Sequence, residues 1–111
     1  MEIDQIGRLH DIREACRLIE SYLKHVPSDD FFKDTEKQDA VIRRIEIIGE
    51  ATAHLCEETR TSLPSLPFRQ MRGMRNIVAH DYGHEDVALV WKAATDNIPN
   101  IRCIQDEFFS R

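Results

Sequence analysis

Arg75, His80 and Tyr82 stand within eight positions of one another, in the segment R-N-I-V-A-H-D-Y at residues 75–82. Arginine keeps its charge and binds phosphate through two parallel N–H donors, whereas histidine gains and loses a proton near neutral pH. A phosphodiester suits both groups, because its cleavage needs a cation for the developing charge and an acid–base group for the protons. As bare residue types the set is a weak signal.

On a helix, three polar residues of this region would form one ridge. Arg72, Asn76 and His80 are spaced four residues apart, and residues at that spacing are neighbours on a helix surface. Arg75 would lie beside the ridge, with a side chain long enough to reach a phosphate held near His80. In the functional interpretation of this arrangement, Arg75 and His80 are catalytic, and Arg72 and Asn76 bind the substrate.

Each of these side chains also has a purely structural interpretation. His80 would suit a helix C-terminus, where the helix dipole favours its cation, and Arg75 would suit a surface salt bridge. Asn76 could hydrogen-bond locally, Arg72 could be a solvated charge, and Tyr82 could pack at the edge of the core.

Other kinds of catalytic site find little support in the sequence. Glu50 with His54, and His80 with His84, have the i,i+4 spacing of metal ligands, but neither pair belongs to an H-E-x-x-H motif. We predict no metal site and no cofactor. The three cysteines are odd in number, far apart and never in a C-x-x-C pair, which argues against a disulfide framework and favours a reducing cytoplasm.

Composition favours one small domain over residues 1–111. A chain of 111 residues that is 41% hydrophobic and 32% charged has apolar material for one core. No apolar run approaches a membrane span, and the N-terminus is acidic where a signal peptide would be basic. We expect a cytoplasmic protein with no membrane association.

The charge distribution bears on possible partners. A formal charge of -5 argues against general nucleic-acid coating. Residues 69–84 nevertheless hold three arginines and two histidines against one acid, Asp81. A basic area on an acidic body fits an enzyme that engages a short RNA element, and leaves acidic surface for a protein partner.

The elements that must position these residues are predicted to be helices, because apolar residues recur every three or four positions between the prolines. The first stripe runs through Ile3, Ile6, Leu9, Ile12, Cys16, Ile19 and Leu23. Later helices are predicted from a cap at Asp34 to Cys56, from Pro67 to Ala79 or His80, near 85–97, and from Pro99 onward.

Residues 26–33 are expected to form a loop anchored by Phe31 and Phe32. The interior Gly49 is expected to mark the close approach of another helix. The fold class is all-α, a compact up-and-down bundle of about five helices.

Five motifs together resemble a known family. The R-x-x-x-x-H-x-Y motif follows Met71–Met74 and precedes Gly83, and I-I-G-E-A stands upstream at residues 47–51. The other three motifs are Leu66-Pro67-Phe68, Val90-Trp91 and Asn97-Ile98-Pro99. This pattern resembles the HepT-like branch of the HEPN ribonucleases over roughly residues 1–108. Phe68 departs from it, since the family most often has Trp there.

The resemblance implies a HEPN-like fold and a homodimeric, metal-independent endoribonuclease that acts as the toxin of a toxin–antitoxin pair. It also implies a cognate antitoxin, a minimal (MNT-type) nucleotidyltransferase, that transfers AMP to Tyr82. A homodimer is expected on separate grounds as well, because one chain supplies only one motif histidine and a two-fold axis would supply two. Val90, Trp91 and the Gly49 face are also expected to be more than one small bundle need bury. A non-catalytic adaptor and a nucleotide-binding module remain alternatives.

Overall fold

The computed structural model describes residues 1–78 and 84–111, and every regular element within them is helical. The elements are α1 (Ile3–Leu23), α2 (Ser28–Phe31), α3 (Thr35–Ala53), α4 (Glu57–Ser62), α5 (Phe68–Val78), α6 (His84–Lys92), a π-helical turn (Ala93–Asn97) and α7 (Ile98–Phe109). The prediction of an all-α fold is confirmed, and α1, α3, α5, α6 and α7 are the five longer helices that the periodicity indicated. No helix in the described ranges combines the length and apolar character needed to span a bilayer.

The buried ridge of α1 differs from the predicted stripe at its N-terminal end. Leu9, Ile12, Cys16 and Ile19 are buried as expected, but Ile3 is 88% exposed and Ile6 is 36% exposed. The ridge passes through Gln5 instead, one helical turn before Leu9. Apolar character alone therefore placed the start of the stripe wrongly.

Gln5 is buried because both its amide oxygen and its amide nitrogen bond to the junction between α3 and α4. Its Oε1 accepts hydrogen bonds from the Cys56 backbone N–H and the Thr59 hydroxyl, both at 2.8 Å, and its Nε2 donates to the His54 carbonyl at 3.1 Å. Helix α4 was not predicted, because its sequence E-E-T-R-T-S has no apolar periodicity. A polar network rather than an apolar stripe holds it.

The segment between α1 and α3 was predicted as a loop, and it contains the short helix α2. His25 turns the chain out of α1 with a φ of 62°, the left-handed conformation that favours glycine. Phe31 is fully buried and lies 5.2 Å, centroid to centroid, from Trp91. The predicted aromatic anchor is thus confirmed. The predicted cap of α3 is confirmed too, since Asp34 Oδ1 accepts from the Lys37 N–H at 3.0 Å.

One hydrophobic core joins the helices, and it takes up the three positions that were expected to be more than one chain need bury. Val90 is fully buried, Trp91 packs against Phe31 and Phe32, and Gly49 is covered by α5. The expectation that these residues exceed what one chain needs to bury is therefore wrong. They give no support for a dimer.

Helix α6 continues into α7 through the π-helical turn, whereas the sequence predicted a new helix at Pro99. The Ile98 N–H bonds to the Ala93 carbonyl, five residues back. The turn ends two residues before Pro99, whose ring would crowd the carbonyl of a regular turn and which has no N–H to donate. Widening the helix at this point accommodates the proline without a break.

Polar contacts fix the face that α7 turns toward α1. The Gln105 Nε2 donates to the Leu9 carbonyl at 3.1 Å, and Arg102 pairs with Glu20 at 2.8 Å. The hydrogen bonds that Arg102 donates to the carboxylates of Asp106 and Glu20 raise its pKa further above the usual range. Both contacts lie within one helical turn of each other, so they set the rotation of α7.

Candidate functional site

Helix α5 carries the described part of the candidate site. It follows Pro67, which suits a helix start, and the Met71 N–H bonds to the Pro67 carbonyl at 3.0 Å. Met71 and Met74 are buried against the core. Arg69, Arg72 and Asn76 are exposed on the opposite side, and the half-exposed Arg75 lies between that side and the core.

Arg75 lies directly over Gly49 of α3. A Cβ atom added to Gly49 would lie 3.1 Å from the Arg75 backbone nitrogen and 3.4 Å from its Cα, and it would collide with the Arg75 Cγ. Only a residue without a side chain allows this approach. The prediction that Gly49 marks close helix packing is confirmed, and the partner helix is α5.

The head of Arg75 is held by the residue that follows Gly49. Arg75 Nη2 lies 2.9 Å from Glu50 Oε1, with both side chains about half exposed. The structural interpretation of Arg75 as a salt-bridge partner therefore holds. It does not exclude phosphate binding, because a guanidinium has five N–H donors in a planar fork.

The predicted substrate-binding residues lie on the same exposed side. Arg72 and Asn76 are both exposed on α5, one helical turn apart. Arg69 extends this basic side toward the start of the helix. Arg69, Arg72 and Arg75 are thus spaced by three residues along a chain whose overall charge is -5.

His80 and Tyr82 lie outside the described residues, together with the predicted helix end at Ala79 or His80 and the predicted break at Gly83. Helix α5 is described to Val78, and α6 from His84. The catalytic role of His80 and the acceptor role of Tyr82 stay predictions.

Glu50 is the member of the site that the sequence did not reveal. The count of charges over residues 69–84 found one acid, Asp81, because Glu50 is distant in sequence. The available signal was the I-G-E-A motif, in which an interior glycine is followed at once by an acid. A glycine that admits another helix brings its neighbour close to that helix as well.

A metal-free site also stays a prediction. Among the side chains that the structure describes, no three of His, Cys, Asp or Glu come together as metal ligands. Glu50, one member of the i,i+4 pair considered from sequence, is engaged by Arg75.

The cysteines differ in reactivity but are all free. Burial raises the pKa of Cys16 from its ordinary value of 9.0 to about 12, with a further contribution from Glu20. Hydrogen bonding from Thr59 lowers the pKa of the exposed Cys56. The prediction that no disulfide framework exists is confirmed.

Comparisons with known proteins find one family over most of the chain. The family model "Ribonuclease HepT-like" matches residues 12–107. "Probable ribonuclease HepT" of Thermococcus cleftensis is 38% identical over 85% of this chain and 86% of that protein. "Putative RNase MJ1380" of Methanocaldococcus jannaschii is 34% identical over the same shares of the two chains. "Gamma-glutamylcyclotransferase and putative RNase MJ0434" of that organism is 42% identical over 85% of this chain, but the match spans only 42% of that protein. No solved structure matches the chain significantly.

Proposed function

Because the chain belongs to the HepT-like ribonuclease family, we propose that it is a metal-independent endoribonuclease whose cleft is built around Arg75 and His80. The observation that carries this proposal is the exposed basic side of α5 next to Arg75, which is seated against Gly49 and paired with Glu50. Arg72 and Asn76, on the same side, would contact the RNA backbone. A single domain over residues 1–111 and a cytoplasmic location remain part of the proposal.

The proposed reaction is a transesterification within the RNA chain. His80 acts as an acid–base group: a base takes the proton of the ribose 2′-hydroxyl, and the 2′-oxygen attacks the adjacent phosphorus. The bond to the leaving 5′-oxygen breaks as an acid protonates it, which leaves a 2′,3′-cyclic phosphate. Arg75 donates N–H bonds to the phosphorane oxygens, where negative charge accumulates.

We propose that the active form is a homodimer with a composite cleft. The reaction needs both a base and an acid, and one chain contributes a single motif histidine. Two copies of α5 meeting near a two-fold axis would supply two His80 and two Arg75. Light scattering should give a dimer mass at micromolar concentration. A monomer mass that RNA leaves unchanged would contradict the composite cleft.

The biological role proposed is that of a toxin held in check by a cognate nucleotidyltransferase of the minimal, MNT type. Support comes from family membership and from the R-x-x-x-x-H-x-Y motif, whose tyrosine is Tyr82. AMP attached to Tyr82, two residues from His80, would bring a negative phosphate next to the catalytic groups. It would compete with RNA for the cation of Arg75.

Cleavage of a defined single-stranded RNA by the purified protein tests the proposal. Cleavage should persist in EDTA and give 2′,3′-cyclic phosphate ends or their hydrolysis product. His80→Ala should lower the rate by about 10²–10⁴-fold, the scale expected for a positioned acid–base group. His10→Ala is the matched control, because His10 is exposed on α1 and stacks on Phe109 with a ring-centroid distance of 4.2 Å. It should leave the rate unchanged.

The same assay separates the alternatives. Loss of cleavage in EDTA with recovery on adding zinc or manganese would overturn the metal-free mechanism. Wild-type protein that binds nucleotides but cleaves no RNA would be a nucleotide-binding module. Protein that does neither, yet binds a nucleotidyltransferase, would be an adaptor.

A further inference from the structure

We propose that Glu50 is a positioning residue that aims the Arg75 guanidinium at the RNA phosphate, with Gly49 as the seat of the same side chain. This role rests on the proposed ribonuclease function. Glu50 itself touches neither RNA nor reacting atoms; it acts through Arg75. The proposal therefore assigns a role to a residue of α3, outside the R-x-x-x-x-H-x-Y motif.

The argument begins with the freedom of an arginine side chain. Arginine has a long, rotamer-rich side chain, and fixing it costs conformational entropy. Here one end of it packs on Gly49, where the Arg75 Cγ, N and Cα all meet the missing Cβ position. The other end pairs with Glu50, at 2.9 Å from Arg75 Nη2 to Glu50 Oε1. Both ends of the side chain thus have a contact on α3.

Both fixing contacts come from one rigid element. Gly49 and Glu50 are adjacent in the 19-residue helix α3, where Gly49 is buried and Glu50 is exposed. The backbone of Arg75 cannot move away from α3 without carrying α5, which is anchored in the core by Met71 and Met74. The direction of the guanidinium is therefore set before RNA arrives.

The expected effects of Glu50 on stability and on rate differ in size, and they indicate which of the two its loss should change. A half-exposed ion pair contributes little to folding, so Glu50 adds little to stability. Misplacing a catalytic group by about 1 Å can cost about 10²-fold in rate. The negative charge of Glu50 also repels phosphate, so its removal should not weaken RNA binding. Loss of Glu50 is expected to lower kcat without raising KM, a split that a structural role would not produce.

Glu50→Gln tests this, with Glu46→Gln as the matched control. Glu46 lies on the same helix, is 47% exposed in its side chain and pairs with Arg43 at 3.2 Å, as Glu50 is 52% exposed and pairs with Arg75. Glu50→Gln should lower kcat about 10-fold to 100-fold, with KM and melting temperature unchanged. Glu46→Gln should match the wild type in all three. Glu50→Asp, which keeps the carboxylate, should recover part of kcat.

A double-mutant cycle shows whether Glu50 acts through Arg75. In an Arg75→Ala background, Glu50→Gln should cause no further loss, because the group that it positions is gone. An equal loss in both backgrounds would overturn the proposal. So would a kcat that rises in Glu50→Gln, since Glu50 would then be an inhibitory partner that RNA must displace.

NMR of the arginine side chains tests the geometry without any activity. The Nε–Hε signal of Arg75, identified by its loss in Arg75→Lys, should show restricted motion in wild type and in Glu46→Gln, and fast motion in Glu50→Gln. A mobile Arg75 head in the wild type would overturn the positioning role whatever the RNA assay gives. Wild-type protein that cleaves no RNA would overturn the ribonuclease proposal whatever the NMR gives.

Discussion

Gly49 and Arg75 are in direct contact across the interface of α3 and α5, with only 3.1 Å between the Arg75 backbone nitrogen and the position of a Cβ on residue 49. Gly49→Ala would gain up to about 1 kcal/mol of helix propensity. Forcing a methyl group into a packed interface costs typically about 1–3 kcal/mol. The variant is therefore expected to be less stable than wild type by chemical denaturation, and to cleave RNA more slowly because Arg75 is displaced.

Gly7→Ala is the control for that prediction. Gly7 is exposed on α1, and a Cβ there would meet no atom within 4 Å. This variant should gain about 0.5–1 kcal/mol of stability and keep full activity. If both alanine variants were stabilised equally, the close approach at Gly49 would be refuted.

Tyr82 should be the only site at which the partner nucleotidyltransferase attaches AMP. Incubation with ATP, magnesium and the partner should add one or more AMP units to the peptide that contains Tyr82, as read by mass spectrometry. Tyr82→Phe should remain unmodified and active in the presence of the partner. Tyr22 is the internal control, because it is half-buried against the core and lines a groove of about 320 Å³ with Asp34 and Lys37. AMP on Tyr22 would contradict the proposal that the partner inactivates the protein by modifying Tyr82. So would loss of RNA cleavage in Tyr82→Phe, in the presence of the partner, as complete as in the wild type.

The Gln5 network should be essential for stability although it is polar. Gln5→Leu would leave the buried Thr59 hydroxyl and the Cys56 N–H without their acceptor. An unsatisfied buried polar group costs about 1–3 kcal/mol, so the loss in free energy of unfolding should be at least of that size. Gln70→Leu, at an exposed position of α5, should change the stability little. Equal effects of the two substitutions would show that the network does not hold α4.

Cys16 should make the fold sensitive to alkali. Its pKa is raised from 9.0 to about 12 in the folded state, mainly by burial, so the unfolded chain loses this proton first. The stabilisation is complete below about pH 9 and is lost as pH rises toward 12. Urea unfolding should show a steeper decline over this window in wild type than in Cys16→Ala. Cys103→Ala, at an exposed thiol, should follow the wild type; parallel curves for all three proteins would exclude Cys16 as the cause.

The fold was predictable where apolar residues decide it, and less so where polar groups do. Leu9, Ile12 and Ile19 gave α1 its periodicity, and the Asp34 cap gave α3 its start. Helix α4 and the buried Gln5 were missed because their stability comes from hydrogen bonds between residues about fifty positions apart. Hydrogen bonds at that separation leave no periodic pattern in the sequence.

For the candidate site, the position of Arg75 on its helix could be predicted from the sequence, but its partner could not. The spacing was sufficient to place Arg72 and Asn76 on one ridge of the helix, with Arg75 beside it. The sequence also indicated that Gly49 admits a neighbour. It could not identify Arg75 as that neighbour, and so could not pair Glu50 with it, because the pairing depends on how α5 is aligned along α3.

The π-helical turn Ala93–Asn97 sets the rotation of α7 relative to α6, and so determines whether the buried faces of both helices meet the core. Each residue of a regular helix advances the side chains by about 100°, so removing one residue from the turn would rotate α7 by roughly that angle relative to α6. Gln105 and Arg102 would then point away from Leu9 and Glu20, their partners on α1. Exposed positions such as Thr95 and Asp96 are free to vary in identity. The number of residues in the turn is not free to vary, because it determines which face of α7 packs against the core.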